Sequence, residues 1–324
     1  MRNKSKRRFI RNMMLYGGAS ILLLFIVGYF YQREGVRQDL LQYKPVGKHV
    51  EVYGHRMHIY SGGNGESTVV LSAGWGTPSP YVDFFPLYEK LAGQVRFAVI
   101  DNFGYGYSEL TDRKRDIDLI VEEMHEGLKQ AREKPPYIMV GHSLAALESI
   151  RFAQQYPDEV KGILLIDGGS PEYYAHQRPM TFVSEFQKFL IRFGVARALY
   201  QIPGFAESVS SERNALNLLP DDLKDLDRRA SLLKGNNRNI TDEMRQSQRN
   251  AFMVLSGPKP LNIPFTIMTA GSFGKADTAW LESQKALLSW STEAKQVVIE
   301  DAEHYIHQYR PDLVAEEILK LAAE

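Results

Sequence analysis

Short apolar segments alternate along the chain with longer segments in which apolar residues recur at helical spacing. The short segments are rich in β-branched and aromatic residues and predict eight strands, at 49–53, 57–61, 68–72, 96–100, 137–140, 160–166, 265–269 and 296–299. The longer segments predict helices at 81–91, 117–131, 144–155, 276–288 and 311–323. Strands that alternate with helices in this way are typical of an α/β protein with a mostly parallel sheet.

One long interval, between the sixth and seventh predicted strands, has no strand pattern. Residues 171–260 are mainly polar with helical periodicity, and they are too many for a loop inside a compact domain. We therefore predict a helical cap at 171–260, inserted into a core that consists of 49–170 and 261–324.

The predicted cap contains one strongly apolar helical face, formed by Phe182, Phe186, Phe189, Leu190 and Phe193. Packing on the core would account for this face. We prefer this interpretation, and a lid wall that contacts an apolar substrate, or the surface of a membrane, is the alternative.

The N-terminal region predicts a membrane anchor. Residues 13–31 carry no charge, and at about 1.5 Å per residue they nearly match a hydrocarbon core of about 30 Å. Basic residues in 1–12 place that end in the cytoplasm by the positive-inside rule, so a single-pass protein would have the rest of its chain, after residue 31, outside the cytoplasm. A cleaved signal peptide and a buried core helix are the alternatives, but the run does not end in a small-residue cleavage pattern. Residues 32–48 are expected to form a linker.

Composition excludes several classes of function. Lys plus Arg and Asp plus Glu number 39 each, so the chain has no basic surplus for binding nucleic acid. The absence of cysteine excludes disulfides, thiolate nucleophiles and cysteine-ligated zinc. With 324 residues, of which 44% are hydrophobic, the chain can bury a substantial core.

The sequence GHSLA at 141–145 lies between a predicted strand and a predicted helix, which places Ser143 on a sharp turn. The motif resembles the nucleophile elbow G-x-S-x-G of the α/β-hydrolase fold family, and the resemblance extends over 49–324. It implies an eight-stranded, mostly parallel sheet with flanking helices and a cap after the sixth strand. The sequence departs from the motif at Ala145, although alanine is also small; a loop without chemistry is the alternative reading.

A serine nucleophile needs a base, and His304 is the first candidate among eight histidines. It lies between the last predicted strand and the last predicted helix, where the resembling family carries its catalytic histidine. His307, three residues later, is the nearest competitor.

Two aspartates are candidates for the acid that orients the base. Asp167 directly follows the sixth predicted strand, and Asp277 follows the seventh at a greater distance. In the resembling family either loop supplies the acid. We prefer Asp167 and keep Asp277 as the alternative.

The same resemblance implies an oxyanion hole made of two backbone N–H groups. One is expected from Leu144 and the other from Trp75, in the loop after the third predicted strand. Residues 101–108 match the family's D-x-x-G-x-G-x-S turn, which we interpret as structural support beside the pocket.

These observations predict a serine hydrolase that cleaves a carboxylic ester, without a metal or an organic cofactor. The substrate is expected to be a small acyl compound with apolar groups. A serine at the elbow, instead of an aspartate, argues against epoxide hydrolases and haloalkane dehalogenases of the same fold. A serine peptidase or amidase, a cofactor-free perhydrolase and a non-catalytic binding protein remain as alternatives.

Overall fold

The protein contains a single eight-stranded sheet within the residues that the structure, a computed structural model, describes, namely 2–274 and 278–324. Its strands are β1 Lys48–Val52, β2 His55–Gly63, β3 Thr68–Ser72, β4 Arg96–Asp101, β5 Tyr137–His142, β6 Val160–Ile166, β7 Leu261–Ala270 and β8 Ser291–Ile299. The spatial order is β1-β2-β4-β3-β5-β6-β7-β8. The β1–β2 and β2–β4 pairs are antiparallel and the other five pairs are parallel, so the predicted, mostly parallel fold class is confirmed.

Helices connect the parallel strands. In the described part of the chain they are α1 Arg2–Gln42, α2 Pro80–Asp83, α3 Phe85–Ala92, α4 Ile117–Ala131, α5 Ala146–Gln155, α6 Pro171–His176, α7 Thr181–Arg192, α8 Val195–Leu199, α9 Phe205–Val209, α10 Asp221–Lys234, α11 Arg238–Leu255, α12 Gly271–Gly274, α13 Thr278–Ala286, α14 Ile306–Tyr309 and α15 Pro311–Ala323. Short 3-10 turns lie at Ser143–Ala145, Pro157–Glu159, Ser211–Leu216 and Leu287–Trp290.

The sheet is covered by helices on both faces, which explains why its central strands are apolar throughout. Helices α4 and α5 bury their apolar sides against one face, and α3 and α15 pack on the other. Every residue of β3 and β5 is buried. A strand enclosed in this way reads as a continuous apolar run instead of an alternating one.

The helix predicted at 81–91 is interrupted. It is divided into α2 and α3 at Phe84, whose backbone angles are not helical, and Pro86 follows at the start of α3. Proline has no N–H to donate and its ring collides with the preceding turn, so a helix restarts at such a residue more easily than it continues through it.

Between β6 and β7 the chain forms helices α6 to α11 and no strand. This agrees with the helical character expected of 171–260, although the division into core and cap remains a prediction. The helix expected at 276–288 lies partly outside the described residues; its described part is α13.

Helix α1 includes the apolar run 13–31. Within the described residues, one helix is long and apolar enough to cross a membrane by length and composition, the segment Lys6–Gln42 of α1, and its most apolar window contains no buried residue. A buried core helix does not have this exposure. A cleaved signal sequence would share its length and composition.

The structure differs from the expected linker, because α1 continues through residues 32–42. Its polar side chains there have buried partners in the helices that follow β6. Arg197 Nε donates to Gln32 Oε1 at 2.8 Å. Asp39 forms ion pairs with Arg197 at 2.7 Å and with Arg229 at 2.8 Å. These contacts hold the second half of α1 against the globular part.

Candidate active site

Ser143 lies directly after β5, at the carboxyl edge of the sheet, where the parallel strands of α/β proteins present their sites. Its φ is +53°, a left-handed conformation that is costly for a residue with a side chain. A Cβ on Gly141 would lie 2.5 Å from Ser149 Oγ, so the turn requires glycine there. Ala145 is buried with φ of −65°, which a side chain tolerates, and this explains why alanine replaces the second motif glycine.

The structure brings Ser143, His304 and Asp167 together from three separate loops. His304 Nε2 lies 3.0 Å from Ser143 Oγ, and His304 Nδ1 lies 2.6 Å from Asp167 Oδ2. An ionised carboxylate can only accept, so the network assigns the imidazole proton to Nδ1. The other ring nitrogen, Nε2, then accepts the hydrogen bond from the Ser143 hydroxyl.

The Asp167 carboxylate is fully buried and accepts four hydrogen bonds. Its Oδ1 accepts from the Ala270 N–H at 2.9 Å and from Gln284 Nε2 at 2.7 Å. Its Oδ2 accepts from Trp280 Nε1 at 3.1 Å and from His304 Nδ1. These hydrogen bonds hold the Asp167 carboxylate in one orientation, with Oδ2 toward His304. Asp277, the alternative acid, lies outside the described residues.

His142, beside the candidate nucleophile, supports the loop that carries His304. Its Nε2 donates to the His304 carbonyl at 3.1 Å. Burial, with a further contribution from the nearby imidazole of His304, holds the pKa of His142 well below its usual range. The His142 ring therefore stays neutral and acts as a fixed hydrogen-bond donor.

His307, the competing base, has a different partner. Its Nε2 lies 2.9 Å from the Asp83 carboxylate, and both side chains are fully buried. Although burial opposes it, the charge of His307 lowers the pKa of Asp83. Arg213, which follows β6 in the chain, approaches the same carboxylate at 3.3 Å and pairs with Asp227 at 2.9 Å. The arrangement gives His307 a structural role in a buried ionic cluster.

The loop after β3 approaches the elbow closely. Thr77 N–H donates to the Gly74 carbonyl at 3.2 Å, and Gly76 has φ of +79°, so the loop closes in a tight turn. A Cβ on Gly74 would lie 2.7 Å from His142 Nδ1 and 3.0 Å from Ser143 Cβ. The close approach depends on the absence of a side chain at this position.

The same loop is tied to α11 by two contacts. Trp75 Nε1 donates to the Ile240 carbonyl at 2.9 Å. Gly76 N–H points to the Tyr105 hydroxyl at 3.4 Å, and that hydroxyl donates to Glu243 at 2.7 Å. The backbone of this loop, which carries one of the two expected oxyanion donors, is therefore positioned from the helices that follow β6. The other expected donor, Leu144 N–H, belongs to the first turn after the elbow, where N–H groups have no partner within the helix.

Two buried glutamates lie near these contacts. Glu148, on α5, accepts from Asn102 Nδ2 at 2.9 Å. Burial, followed by the charge of Glu243, raises the pKa of Glu148 to about 8, and burial raises the pKa of Glu243 to about 7. Both carboxyl groups, Glu148 on α5 and Glu243 on α11, therefore tend to keep their protons up to near-neutral pH.

The turn at 101–108 holds the sheet edge beside the site. Asp101 Oδ2 accepts from the Tyr107 N–H and from His58 Nδ1, both at 2.8 Å. Since His58 Nε2 accepts the Gly47 N–H at 3.0 Å, the hydrogen bonds assign the ring proton of His58 to Nδ1. These residues have internal partners, as expected for structural support.

Sequence reasoning missed three side chains of the site. Trp280 and Gln284 on α13 orient Asp167. Tyr174 lies on α6 beside Ser143; burial raises the pKa of Tyr174 above its ordinary value, and the Ser143 hydroxyl partly offsets that effect. No motif precedes or follows these residues that would single them out, because their role depends only on proximity.

The comparisons with known proteins agree with this fold. Residues 67–311 match the family described as alpha/beta hydrolase fold, and the protein belongs to that family. The uncharacterized protein YbdG of Bacillus subtilis is 28% identical over 315 residues, which cover 94% of this chain and 93% of that protein.

Two solved structures share the architecture. An epoxide hydrolase of Bacillus megaterium aligns with a TM-score of 0.65 at 17% identity, over 86% of this chain and 100% of that one. A thermophilic esterase from Thermogutta terrifontis aligns with a TM-score of 0.61 at 17% identity, over 84% of this chain and 96% of that one. At such identities the likeness shows the fold alone.

Proposed function

We propose that this protein is a membrane-anchored serine hydrolase that cleaves a carboxylic ester through an acyl-enzyme on Ser143. The observation that carries the proposal is the continuous hydrogen-bonded chain from Ser143 through His304 to Asp167, with distances of 3.0 and 2.6 Å. A serine hydroxyl on a strained turn, an imidazole whose Nε2 faces that hydroxyl and a buried acid are what acyl transfer requires.

In the proposed reaction, Ser143 Oγ attacks the ester carbonyl carbon while its proton passes to His304 Nε2. The resulting imidazolium is stabilised by Asp167, and the negative carbonyl oxygen is bound by the N–H groups of Trp75 and Leu144, each worth about 3 to 4 kcal/mol. His304 then protonates the leaving alkoxide, and the alcohol departs. Water attacks the acyl-enzyme, gives its proton to His304, and the acid product leaves as the proton returns to Ser143.

The nucleophile distinguishes ester hydrolysis from epoxide opening, the activity named for one of the structural neighbours. Attack by Ser143 on an epoxide would form an alkyl ether, which water does not cleave at neutral pH. Turnover of an epoxide through a covalent intermediate needs a carboxylate nucleophile, whose ester can be hydrolysed. Ester cleavage, the activity named for the other neighbour, is therefore the function that we propose.

The test is labelling with a fluorophosphonate, which reacts with activated serines. The wild type is compared with Ser143→Ala and His304→Ala, and with Ser256→Ala and His125→Ala as matched controls. Ser256 is exposed, and His125 has a partner in Glu159. We expect labelling in the wild type and both controls and none in the two site variants. Labelling of Ser143→Ala at the wild-type rate would refute the nucleophile.

A substrate series separates the alternatives in chemistry. p-Nitrophenyl esters of increasing chain length, a p-nitroanilide, styrene oxide, and acetate with hydrogen peroxide represent esterase, amidase, epoxide hydrolase and perhydrolase activity. We expect turnover of the esters only. A folded protein that neither reacts with the probe nor turns over any of these compounds would be a non-catalytic binding protein.

The membrane part of the proposal rests on α1. Its length is roughly 60 Å at 1.5 Å per residue, twice what a hydrocarbon core of about 30 Å requires, and its second half is held by the globular part. Since the chain has no cysteine, single cysteines report topology cleanly. In intact cells an impermeant maleimide should label Asp112→Cys but not Ser5→Cys. The reverse pattern would refute the orientation, and a soluble Asp112→Cys protein would refute the anchor.

A further inference from the structure

Helix α7 turns its apolar side away from the protein. Four of its large side chains are exposed, with exposed fractions of 82% for Phe182, 44% for Val183, 52% for Phe186 and 40% for Phe189. The rings of Phe182 and Phe186 lie parallel, 6.5 Å apart. Aromatic and aliphatic residues clustered in this way on a surface mark a site of association.

The opposite side of α7 is the one that contacts the protein. Ser184 is buried and its hydroxyl pairs with Thr241 Oγ1 on α11 at 2.9 Å. Ile191 packs closely on Gly235, where a Cβ would lie 2.9 Å from Ile191 Cδ1. At about 100° per residue, these two positions project opposite to the exposed phenylalanines. The outward direction of the apolar side is therefore fixed by the packing of α7 and is not the result of a loose helix.

The occupant of this face is indicated by its neighbour, helix α1. The Phe25 ring contacts the rings of Phe189 and Phe193, with centroid distances of 5.5 and 5.0 Å. Gly28 meets the backbone of Phe193 so closely that a Cβ there would collide with its carbonyl group. The exposed face of α7 thus continues the apolar surface of α1 at its edge.

The contact between α1 and α7 also sets the depth at which α7 would lie in a bilayer spanned by α1. Phe25 and Gly28 lie within the apolar run 13–31, about 9 Å and 4.5 Å before its end at 1.5 Å per residue. Amphipathic helices that lie in a membrane surface bury their apolar face by about 5–10 Å. The cationic side chains Lys188 and Arg192 belong to the polar side of the same helix, where lipid headgroups would lie.

We propose that the apolar face of α7 docks on the lipid bilayer that α1 spans, and that the substrate is an acyl ester dissolved in that bilayer. The proposal rests on the membrane anchoring and the ester hydrolysis proposed above. Helix α11 connects the two regions. Its Thr241 bonds Ser184 of α7, and the adjacent Ile240 carbonyl accepts from the Trp75 indole in the loop beside Ser143. The lipid-facing helix and the candidate oxyanion loop are therefore attached to the same turn of α11.

The first test measures depth in the full-length protein reconstituted into phosphatidylcholine vesicles. Phe182→Cys and Phe186→Cys are labelled with an environment-sensitive nitrobenzoxadiazole dye. Phe252→Cys is the matched control, since Phe252 is 55% exposed, like Phe186, but lies about 16 Å along α11 from Thr241. We expect the dye at both α7 positions to be quenched by lipids brominated on the acyl chain and shielded from iodide, and the control to show the opposite.

Two outcomes overturn the docking. One is a dye at Phe182→Cys as accessible to iodide as the dye at Phe252→Cys. The other is dye fluorescence at the α7 positions that changes with the protein-to-lipid ratio but is not quenched by brominated lipid. That result would mean that a second copy of the chain, instead of lipid, covers the apolar face of α7. Neither measurement requires catalysis, so the docking is tested even if no ester is cleaved.

The second test measures the substrate class. Phe182→Ser combined with Phe186→Ser is compared with Phe252→Ser on a long-chain ester in the vesicles and on a short, water-soluble ester. We expect the double variant to lose about 10-fold in kcat/KM on the bilayer ester only, since the face orients the site at the lipid surface. An equal loss on both esters, or none on either, refutes the inference about the substrate. Absence of activity in the wild type on both would refute the proposed function instead.

Discussion

Replacing Asp167 by asparagine provides a stringent test of the candidate site, because the structure leaves the new side chain no suitable orientation. All four hydrogen bonds to the Asp167 carboxylate come from donors. An asparagine has one oxygen and one NH₂ group. If the NH₂ group faces Ala270 and Gln284, donors oppose donors at the buried side, which costs about 1–3 kcal/mol for each unsatisfied group.

If the NH₂ group instead faces His304, the imidazole must accept at Nδ1 and carry its proton on Nε2. That tautomer cannot take the proton of Ser143. A side-chain amide in this place also does not stabilise the imidazolium that forms during acylation. We therefore expect the rate of acylation to fall by about 10³- to 10⁴-fold, equivalent to roughly 4–5.5 kcal/mol in activation free energy.

The assay is the second-order rate of fluorophosphonate labelling at Ser143, which requires no knowledge of the natural substrate. Thermal unfolding establishes that the variant is folded. Asp277→Asn is the matched variant of the alternative acid, and we expect it to react within about twofold of the wild type. A folded Asp167→Asn protein that labels at the wild-type rate, with a slow Asp277→Asn protein, would reverse the assignment of the acid.

Three further variants test the surroundings of the site. Gly74→Ala should slow labelling by about 100-fold, because the new Cβ collides with His142 and displaces the oxyanion loop. Glu148→Gln should raise the free energy of unfolding by about 2 kcal/mol above pH 8, and by less as the pH falls toward 4.5. In the wild type the folded state keeps a proton on Glu148 that the unfolded state releases, so stability is lost as the pH rises through this window; chemical denaturation at several pH values measures it. His307→Asn should lower the free energy of unfolding by about 3–5 kcal/mol, since Asp83 loses a buried partner, while the folded variant still labels.

The controls are chosen for exposure and space. A Cβ on Gly93 would contact nothing within 4 Å, so Gly93→Ala should label like the wild type. Glu89 is exposed, so Glu89→Gln should change stability little at any pH. A difference between Glu148→Gln and the wild type that does not depend on pH would contradict the titration argument. Loss of labelling in a stable His307→Asn protein would identify His307 as the base. Unchanged labelling of Gly74→Ala would contradict the close approach of the loop after β3 to His142 and Ser143.

Much of the fold was predictable because its determinants are local. Central parallel strands are buried on both faces, so they appear in the sequence as apolar runs between helical segments. The elbow at Ser143 was readable for the same reason, since its strain requires small neighbours at fixed offsets. His304 was selected by its place between the last strand and the last helix, and the structure brings it to 3.0 Å from Ser143.

Other features were decided only when distant segments met. Asp167 and Asp277 both follow strands that end at the same edge of the sheet, and the sequence could only rank them by their distance from those strands. The contacts with His304, Trp280 and Gln284 show how the Asp167 carboxylate is held toward the imidazole. Periodicity identified the apolar face of α7 but not its direction, because a helix turned by half a rotation has the same pattern. That direction follows from Ser184, a small polar residue whose partner lies 57 positions away in the chain. Short-range patterns are set by backbone geometry and solvation, whereas partners far apart in sequence are selected by packing in three dimensions.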